Sequence, residues 1–203
     1  MSDKTKKTNT TTQIALLSAL LCIISPFAIV FPFSPVPISL ATLMLYVSIY
    51  IVGTKNAVIS CGIYLLIGGI GIPVFSGFTG GIGRVLGPTG GYLIGYLFLT
   101  FISGLFVEKW RNSNRKTTVG DKNKGCRRGY YMNYLMQGLG MVAGTGVCYL
   151  FGCLWLSYQA GMEFCAALGI GVIPFIPGDV VKIVIGVLVG NAMRRRLVKA
   201  GVV

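Results

Sequence analysis

The chain is 203 residues long, 54% of them apolar and only 11% charged, with a mean hydropathy of +0.75. A soluble domain carries roughly a quarter of its residues as charges, so the composition excludes an ordinary soluble protein and points to a membrane protein. The net charge of +13 does not indicate nucleic acid, because the cations are sorted by position along a series of apolar stretches.

Six such stretches read as spans: residues 13–31, 38–53, 56–72, 88–107, 131–158 and 174–193. Each is close to the roughly 20 residues that cross a bilayer as helix. The second and third are the shortest, and tilt or partial re-entry suits them. Lys4, Lys6 and Lys7 precede the first span, and Lys55 lies between the second and third. Eight cations fall in 108–129 and four, Arg194, Arg195, Arg196 and Lys199, follow the sixth. With six spans, sixteen of the eighteen lie on one side. The positive-inside rule then places both termini in the cytoplasm. The expectation is an all-α, multi-pass protein of the cell membrane. It has a disordered cytoplasmic segment over 1–12, a six-helix membrane domain over 13–197 with a basic cytoplasmic loop at 108–129, and a tail at 198–203.

Taken in order, residues 1–12 are rich in Lys and Thr, a composition that does not bury apolar surface. The first span is too long for a cleaved signal peptide and has no small-residue cleavage site. Ala15 and Ala19 form a small-residue step near its cytoplasmic end, suited to packing on a sister helix or to docking another protein. Three prolines between Phe31 and Pro37 exclude helix and predict an extended outer loop. Gly53-Thr-Lys-Asn56 is a tight inner turn. From Pro73 to Gly87 an outer loop with Phe75, Phe78 and several glycines is expected to hold no regular element and to act as a lid. Helix resumes at Pro88, with Gly87, Gly91 and Gly95 at four-residue spacing, a groove for a closely packed neighbour. Gly140-x-x-x-Gly144 and Gly186-x-x-x-Gly190 offer two more such stripes. Trp110, Tyr130 and Tyr131 suit the inner interfacial belt, and Trp155 and Tyr158 the outer one. Residues 161–171 read as an outer connection, and Pro177-Gly178 as the start of the last regular helix. Asp179 would lie in its first turn, where the dipole favours an anion, with Lys182 three residues on.

The chemistry-bearing residues are few. The six cysteines contain no Cys-x-x-Cys spacing and no histidine is present to complete a zinc site, so no metal is expected. Histidine, a second acid near Asp179 and a Gly-x-Ser-x-Gly elbow are all missing. The Gly81-Ile-Gly-Arg84 run satisfies neither the dinucleotide pattern nor the P-loop. An enzyme is therefore not expected, and uphill transport would draw on a partner or an ion gradient. Arg84, Asp179 and Lys182 remain, ionisable groups at or within the outer half of the bilayer. A charge there costs about 2.5–3.5 kcal/mol on insertion scales and marks a candidate site. The plainer alternative is that Asp179 and Lys182 only neutralise each other while Arg84 lies in water.

Leu86-Gly-Pro-Thr-Gly-Gly-Tyr-Leu-Ile-Gly95, Pro177-Gly-Asp-Val-Val-Lys182 and Ser34-Pro-Val-Pro-Ile38 together resemble motifs of the biotin-specific substrate-binding (S) subunits of energy-coupling-factor importers. The resemblance covers about residues 14–197. Ala41 stands where that family commonly has glutamine, and Arg84 where the counterpart is often apolar. The resemblance implies a six-helix bundle that captures biotin from outside, with Asp179 and Lys182 contacting the vitamin. Arg84 is the candidate for its carboxylate tail, and Tyr92, Phe75 and Phe175 line the apolar part. It also implies docking through Ala15 and Ala19 on a transmembrane coupling subunit that works with two ATPase subunits. Biotin is then the transported ligand, no cofactor is expected, and the remaining partner is the lipid bilayer. An S subunit for another vitamin and a self-sufficient secondary transporter are the alternatives. No inverted repeat is detectable to favour the second.

Overall fold

Prolines and glycines punctuate this chain, and its helices end where they stand. The computed structural model describes residues 3–29, 37–117 and 126–200. Helix α1 runs Asp3–Ile24 and stops ahead of Pro26, several residues short of the expected end of the first span. Its backbone begins inside the Lys- and Thr-rich segment expected to be disordered, since a helix once nucleated adds one hydrogen bond per further residue. Beyond it, Ala28–Ile29 (β1) pairs antiparallel with Ile38–Ser39 (β2). The expected proline-rich loop between them, residues 31–36, lies outside the described residues. Helices α2 (Ala41–Val52) and α3 (Thr54–Ile70) meet at Gly53, whose φ of 81° a side chain would strain.

The segment from Pro73 to Gly87 is more ordered than its glycine content predicts. Phe75 and Thr79 form an isolated bridge, and Ile82–Val85 makes one short helical turn, α4. The Gly81 carbonyl accepts from the amides of Arg84 and Val85 at 3.0 and 3.4 Å, which closes the turn without help from side chains. Helix α5 (Gly90–Thr117) and helix α6 (Cys126–Ala160) then follow. Both run well into the basic segment expected as a loop over 108–129, because Lys and Arg are good helix formers wherever water receives their charges. Only 118–125 between them lies outside the described residues. The connection expected over 161–171 is itself largely helical, with α7 at Phe164–Gly171. A single 3-10 turn over Ile173–Phe175 leads into α8 (Ile176–Lys199), with Pro in its first turn as expected. Among the described residues, then, six helices have twelve or more residues, and everything else apart from the short β pair is turn or short helix. Three helical stretches, Gly90–Trp110, Met132–Ala160 and Phe164–Lys199, are long and apolar enough to cross a membrane. α2, with 12 residues, is only about 18 Å long.

The glycine stripes assemble the bundle. A side chain at Gly91 would strike Trp155 and the Phe151 carbonyl, and one at Gly95 would strike Cys148. Gly144 faces Leu99 and Ser103, and Gly140 faces Phe106, so α5 and α6 pack antiparallel with backbones close along their length. Gly87 lies ahead of α5 and packs against its own turn at Gly83 and Arg84. In the same way Gly186 and Gly190 receive Tyr46 and Tyr50, which sets α8 parallel to α2. α1 lies on α3, where the Ser18 hydroxyl donates to the Ser60 carbonyl at 3.2 Å and Ser25 bonds the Tyr64 hydroxyl at 2.5 Å. The bundle thus has a basic end, where α1 and α3 start and α8 stops, and a far end carrying the β pair, α4, α7 and the start of α8.

Candidate ligand-binding site

Asp179 and Lys182 are each 8% exposed, so the pair is not a surface neutralisation. They stand in the first two turns of α8 and turn inward against the start of α2. The Lys182 ammonium donates to Asp179 Oδ1 at 2.9 Å, to the Ser39 carbonyl at 2.7 Å and to Thr42 Oγ1 at 3.3 Å. An ammonium has three N–H donors, and all three are used. Asp179 Oδ2 accepts from the Tyr149 hydroxyl of α6. Ser39 is held in turn, its hydroxyl donating to the Ser25 carbonyl at 3.0 Å and accepting from the Ala41 amide at 3.0 Å. The charged pair is therefore built from α8, α2 and α6 at once. Leaving either partner alone in such a setting costs several kcal/mol, so the position is kept only where the rest of the cluster holds it.

The pair forms one wall of a cavity with about 420 Å³ of non-atom space, its open mouth included. Tyr92, Tyr96 and Leu99 of α5, Thr145, Cys148 and Tyr149 of α6, and Phe175 contribute further walls. Tyr92 is fixed by its hydroxyl, which donates to the Gly171 carbonyl at the end of α7 at 2.9 Å. Its ring lies where a side chain at Gly152 would stand. A second cavity, with about 320 Å³ of non-atom space, is lined by Arg84, Phe75, Ser76, Thr89 and Leu93. Pro37, Tyr92 and Tyr96 belong to both walls, so the two cavities adjoin. Phe75 is buried and packs edge-on against Tyr64, ring centroids 5.6 Å apart. Its ring occupies the space that the missing side chain of Gly68 leaves free.

Six of the residues singled out from the sequence thus converge. Asp179, Lys182, Tyr92 and Phe175 line the first cavity, and Arg84, Phe75 and again Tyr92 the second. Arg84 is half-buried on α4, neither in open water nor beside the charged pair. Ala15 and Ala19 line neither cavity and lie on the exposed face of α1, while their neighbours Leu17 and Ser18 are buried. Neither alanine is therefore buried against a sister helix among the described residues. Tyr149, Thr42 and Ser39 escaped the sequence reading. A tyrosine in mid-span, away from both interfacial belts, is the available signal for the first, since a buried phenol needs a partner for its hydroxyl. Nothing local marks Ser39, whose part is played by its backbone carbonyl. Among the described residues no cluster of His, Cys, Asp and Glu suits a metal ion.

Residues 1–199 match the BioY family. This chain belongs to the BioY family. A protein of Lactococcus lactis subsp. cremoris named biotin transporter BioY is 30% identical over 94% of this chain and 93% of its own. A protein of the same name from Thermotoga maritima is 30% identical over 81% of this chain and 84% of its own. A probable biotin transporter from Pyrococcus horikoshii is 36% identical over 79% and 82%. Among solved structures, the S-component for biotin from an ECF-type ABC transporter superposes with a TM-score of 0.77 at 30% identity. The superposition covers 96% of this chain and 95% of that one. The resemblance read from the three motifs is thus confirmed at the level of the family.

Proposed function

We propose that this chain captures biotin outside the cell and delivers it across the cell membrane as the S subunit of an energy-coupling-factor importer. The observation that carries the reading is the buried Asp179–Lys182 pair on a cavity wall, in a chain whose relatives are named biotin transporters. Biotin offers a flat ureido ring with two N–H donors and one carbonyl. An ionised carboxylate has about four acceptor positions, and two on Asp179 are taken by Lys182 and Tyr149. The remaining capacity matches two ureido N–H groups. Lys182 then serves the ureido carbonyl by giving up its longest bond, the 3.3 Å one to Thr42. Charge-assisted bonds of this kind in a largely dry pocket fix orientation as well as adding affinity. Tyr92, Phe175 and Phe75 supply the apolar contacts, and Arg84 stands within reach of the adjoining end.

In this reading the six long helices are six membrane spans, the basic end is cytoplasmic and the far end faces outward, as the distribution of cations supports. Ala15 and Ala19 present a small-residue step on an exposed face, the kind of surface a neighbouring membrane helix approaches closely. Its occupant is the transmembrane coupling subunit, which brings two ATPase subunits to a chain with no nucleotide motif of its own. The family supports transport and not catalysis.

Calorimetric titration of the purified protein with biotin tests the reading. The expected result is about one biotin per chain with an affinity on the order of nanomolar, roughly −12 kcal/mol. Tight binding of riboflavin or thiamine with no response to biotin would replace it by an S subunit for another vitamin.

A further inference from the structure

At the basic end of the bundle a groove lies open between α6 and α8. The Arg195 guanidinium donates to the Tyr134 hydroxyl at 2.8 Å, which brings the end of α8 against the beginning of α6. Helix register decides what accompanies them. Lys199 follows Arg195 by four residues and Leu188 precedes it by seven, so the three share one face of α8. On α6, Arg127 precedes Tyr134 by seven residues, while Gly138 and Val142 follow it by four and eight. The two helices run in opposite directions. Arg127 and Lys199 therefore both stand on the outer side of the Tyr134–Arg195 contact, roughly 10 and 6 Å beyond it along their helices. On the inner side, a side chain at Gly138 would meet no atom within 4 Å, so the space between the helices stays open. Val142 and Leu188 are 52% and 57% exposed there. The opposite side of α6 is closed, since Gly140 and Gly144 pack on Phe106 and Ser103 of α5.

Arg195, Arg196 and Lys199 are exposed, and the acids of the chain stand elsewhere. Glu108 accepts from the Thr54 amide at 2.9 Å between α5 and α3. Glu163 and Asp179 belong to the far end, Asp3 opens α1, and Asp121 lies outside the described residues. Cations alone would mark a helix end in water. Here the same two helix faces continue into exposed apolar side chains, and an occupant has to match both parts. A phospholipid with an anionic headgroup does so, its phosphate at the cations and its acyl chains along Leu188 and Val142. A nucleic acid or an acidic protein surface has no apolar length for the inner part. We infer that the groove between α6 and α8 is a binding site for an anionic phospholipid, with Arg127, Arg195 and Lys199 holding its phosphate. Basic pockets between membrane helices on the cytoplasmic side hold such headgroups in general. The site needs a membrane surface at the basic end, as in the reading above, and does not depend on what the cavities bind.

The test is native mass spectrometry of the purified full-length protein in detergent, titrated with dioleoyl phosphatidylglycerol or with dioleoyl phosphatidylcholine. The quantity read is the ratio of the concentrations at which the first lipid is half retained. The unaltered protein is expected to retain one phosphatidylglycerol at a concentration about tenfold or more below that for phosphatidylcholine. Each cation at a headgroup contributes about fivefold, so Arg127→Gln with Arg195→Gln and Lys199→Gln should bring the ratio close to one. Lys55→Gln with Lys109→Gln removes two exposed cations at the same end on other helices, and should leave the ratio unchanged. Glycerol 3-phosphate, a phosphate without acyl chains, should not displace the lipid even in large excess. Equal retention of the two lipids by the unaltered protein overturns the proposal, and so does a preference that the triple variant keeps. A preference that the Lys55 and Lys109 changes abolish equally belongs to net charge and not to the groove. Displacement by glycerol 3-phosphate would make the groove a site for soluble phosphate, and displacement by a short oligonucleotide a site for nucleic acid; either removes the lipid from it. Should thermal unfolding show that the triple variant does not fold, Lys199→Gln alone is read, and a ratio that it leaves unchanged overturns the proposal.

Discussion

Two polar clusters are built on the same three helices, α2, α6 and α8, at opposite ends of the bundle. At the far end stand Asp179, Lys182, Tyr149, Thr42 and Ser39. At the basic end the Tyr50 hydroxyl donates to Gln137 Oε1 at 2.8 Å and Asn191 donates to the same oxygen at 2.8 Å. Gln137 Nε2 donates to Asn133 at 3.0 Å, and the Arg194 guanidinium bonds the Tyr50 carbonyl at 2.8 Å. Both clusters satisfy their polar atoms, and both cross-link three helices. They differ in what faces them. The first borders a cavity and keeps spare acceptor capacity on a charged oxygen. The second borders neither cavity, and its central Gln137 is 1% exposed. A buried polar network is thus not evidence of a site until open space meets it with unused bonding capacity. The far-end cluster is read as a binding surface and the basic-end cluster as a clasp.

The comparison yields four expected outcomes. Asp179→Asn and Lys182→Met should each weaken biotin binding by roughly 3–5 kcal/mol, because each strands the other group in a nearly dry site. The double variant should lose less than the sum of the two, as a double-mutant cycle of calorimetric titrations would show. Additive losses below a kilocalorie would reduce the pair to a solvated one. Tyr149→Phe should come next, with a loss of about 1.5–3 kcal/mol in binding, the worth of a hydrogen bond to a charged group. The same titration reads it, and full affinity would mean that Asp179 is oriented without α6.

Gln137→Ala should do the reverse. It leaves the Tyr50 hydroxyl and Asn191 without their shared acceptor, at about 1–3 kcal/mol of stability, while biotin affinity stays within a factor of a few. Thermal unfolding in detergent, run beside a titration, separates the two effects. A large loss of affinity with unchanged stability would erase the distinction between site and clasp. The smallest effect on the isolated protein is expected from Ala15→Leu with Ala19→Leu. These residues touch neither cluster, so stability and biotin binding should hold, while co-purification with the coupling complex and accumulation of biotin by cells are lost. Transport at the normal rate would remove the docking role from this face.

Much of this arrangement is legible in the chain before it folds. Hydropathy and the spacing of cations are sums over local composition, and they mark the long apolar helices without reference to any neighbour. Gly53 and Pro177 act through their own φ angles, so the breaks near them are local facts too, whereas the end of α1 ahead of Pro26 falls inside a run whose apolar composition continues past it. Asp179, Lys182 and Arg84 stand out because a charge in or beside an apolar stretch is costly wherever it packs, whereas Tyr92 and Phe75 are picked out only by the resemblance of the motifs around them. Partners are another matter. The Gly91, Gly140 and Gly186 stripes announce a close neighbour, but which helix arrives depends on how all the faces are shared out at once. α6 takes the first, α5 the second and α2 the third. The same holds for Lys182, whose bond to the Ser39 carbonyl spans 143 residues of chain. It holds for Tyr149, one tyrosine among ten until α6 brings its hydroxyl to Asp179. The ends of α5 and α6 run into the basic segment because an existing helix offers the next acceptor and the Lys and Arg residues there do not oppose helix, so a count of charges alone misreads them as loop. The division of the cavity into a neutral part and a cationic part comes last of all. It requires α4, α5 and α8 to be in place together, since charge balance is a property of what faces a space and not of any stretch of sequence.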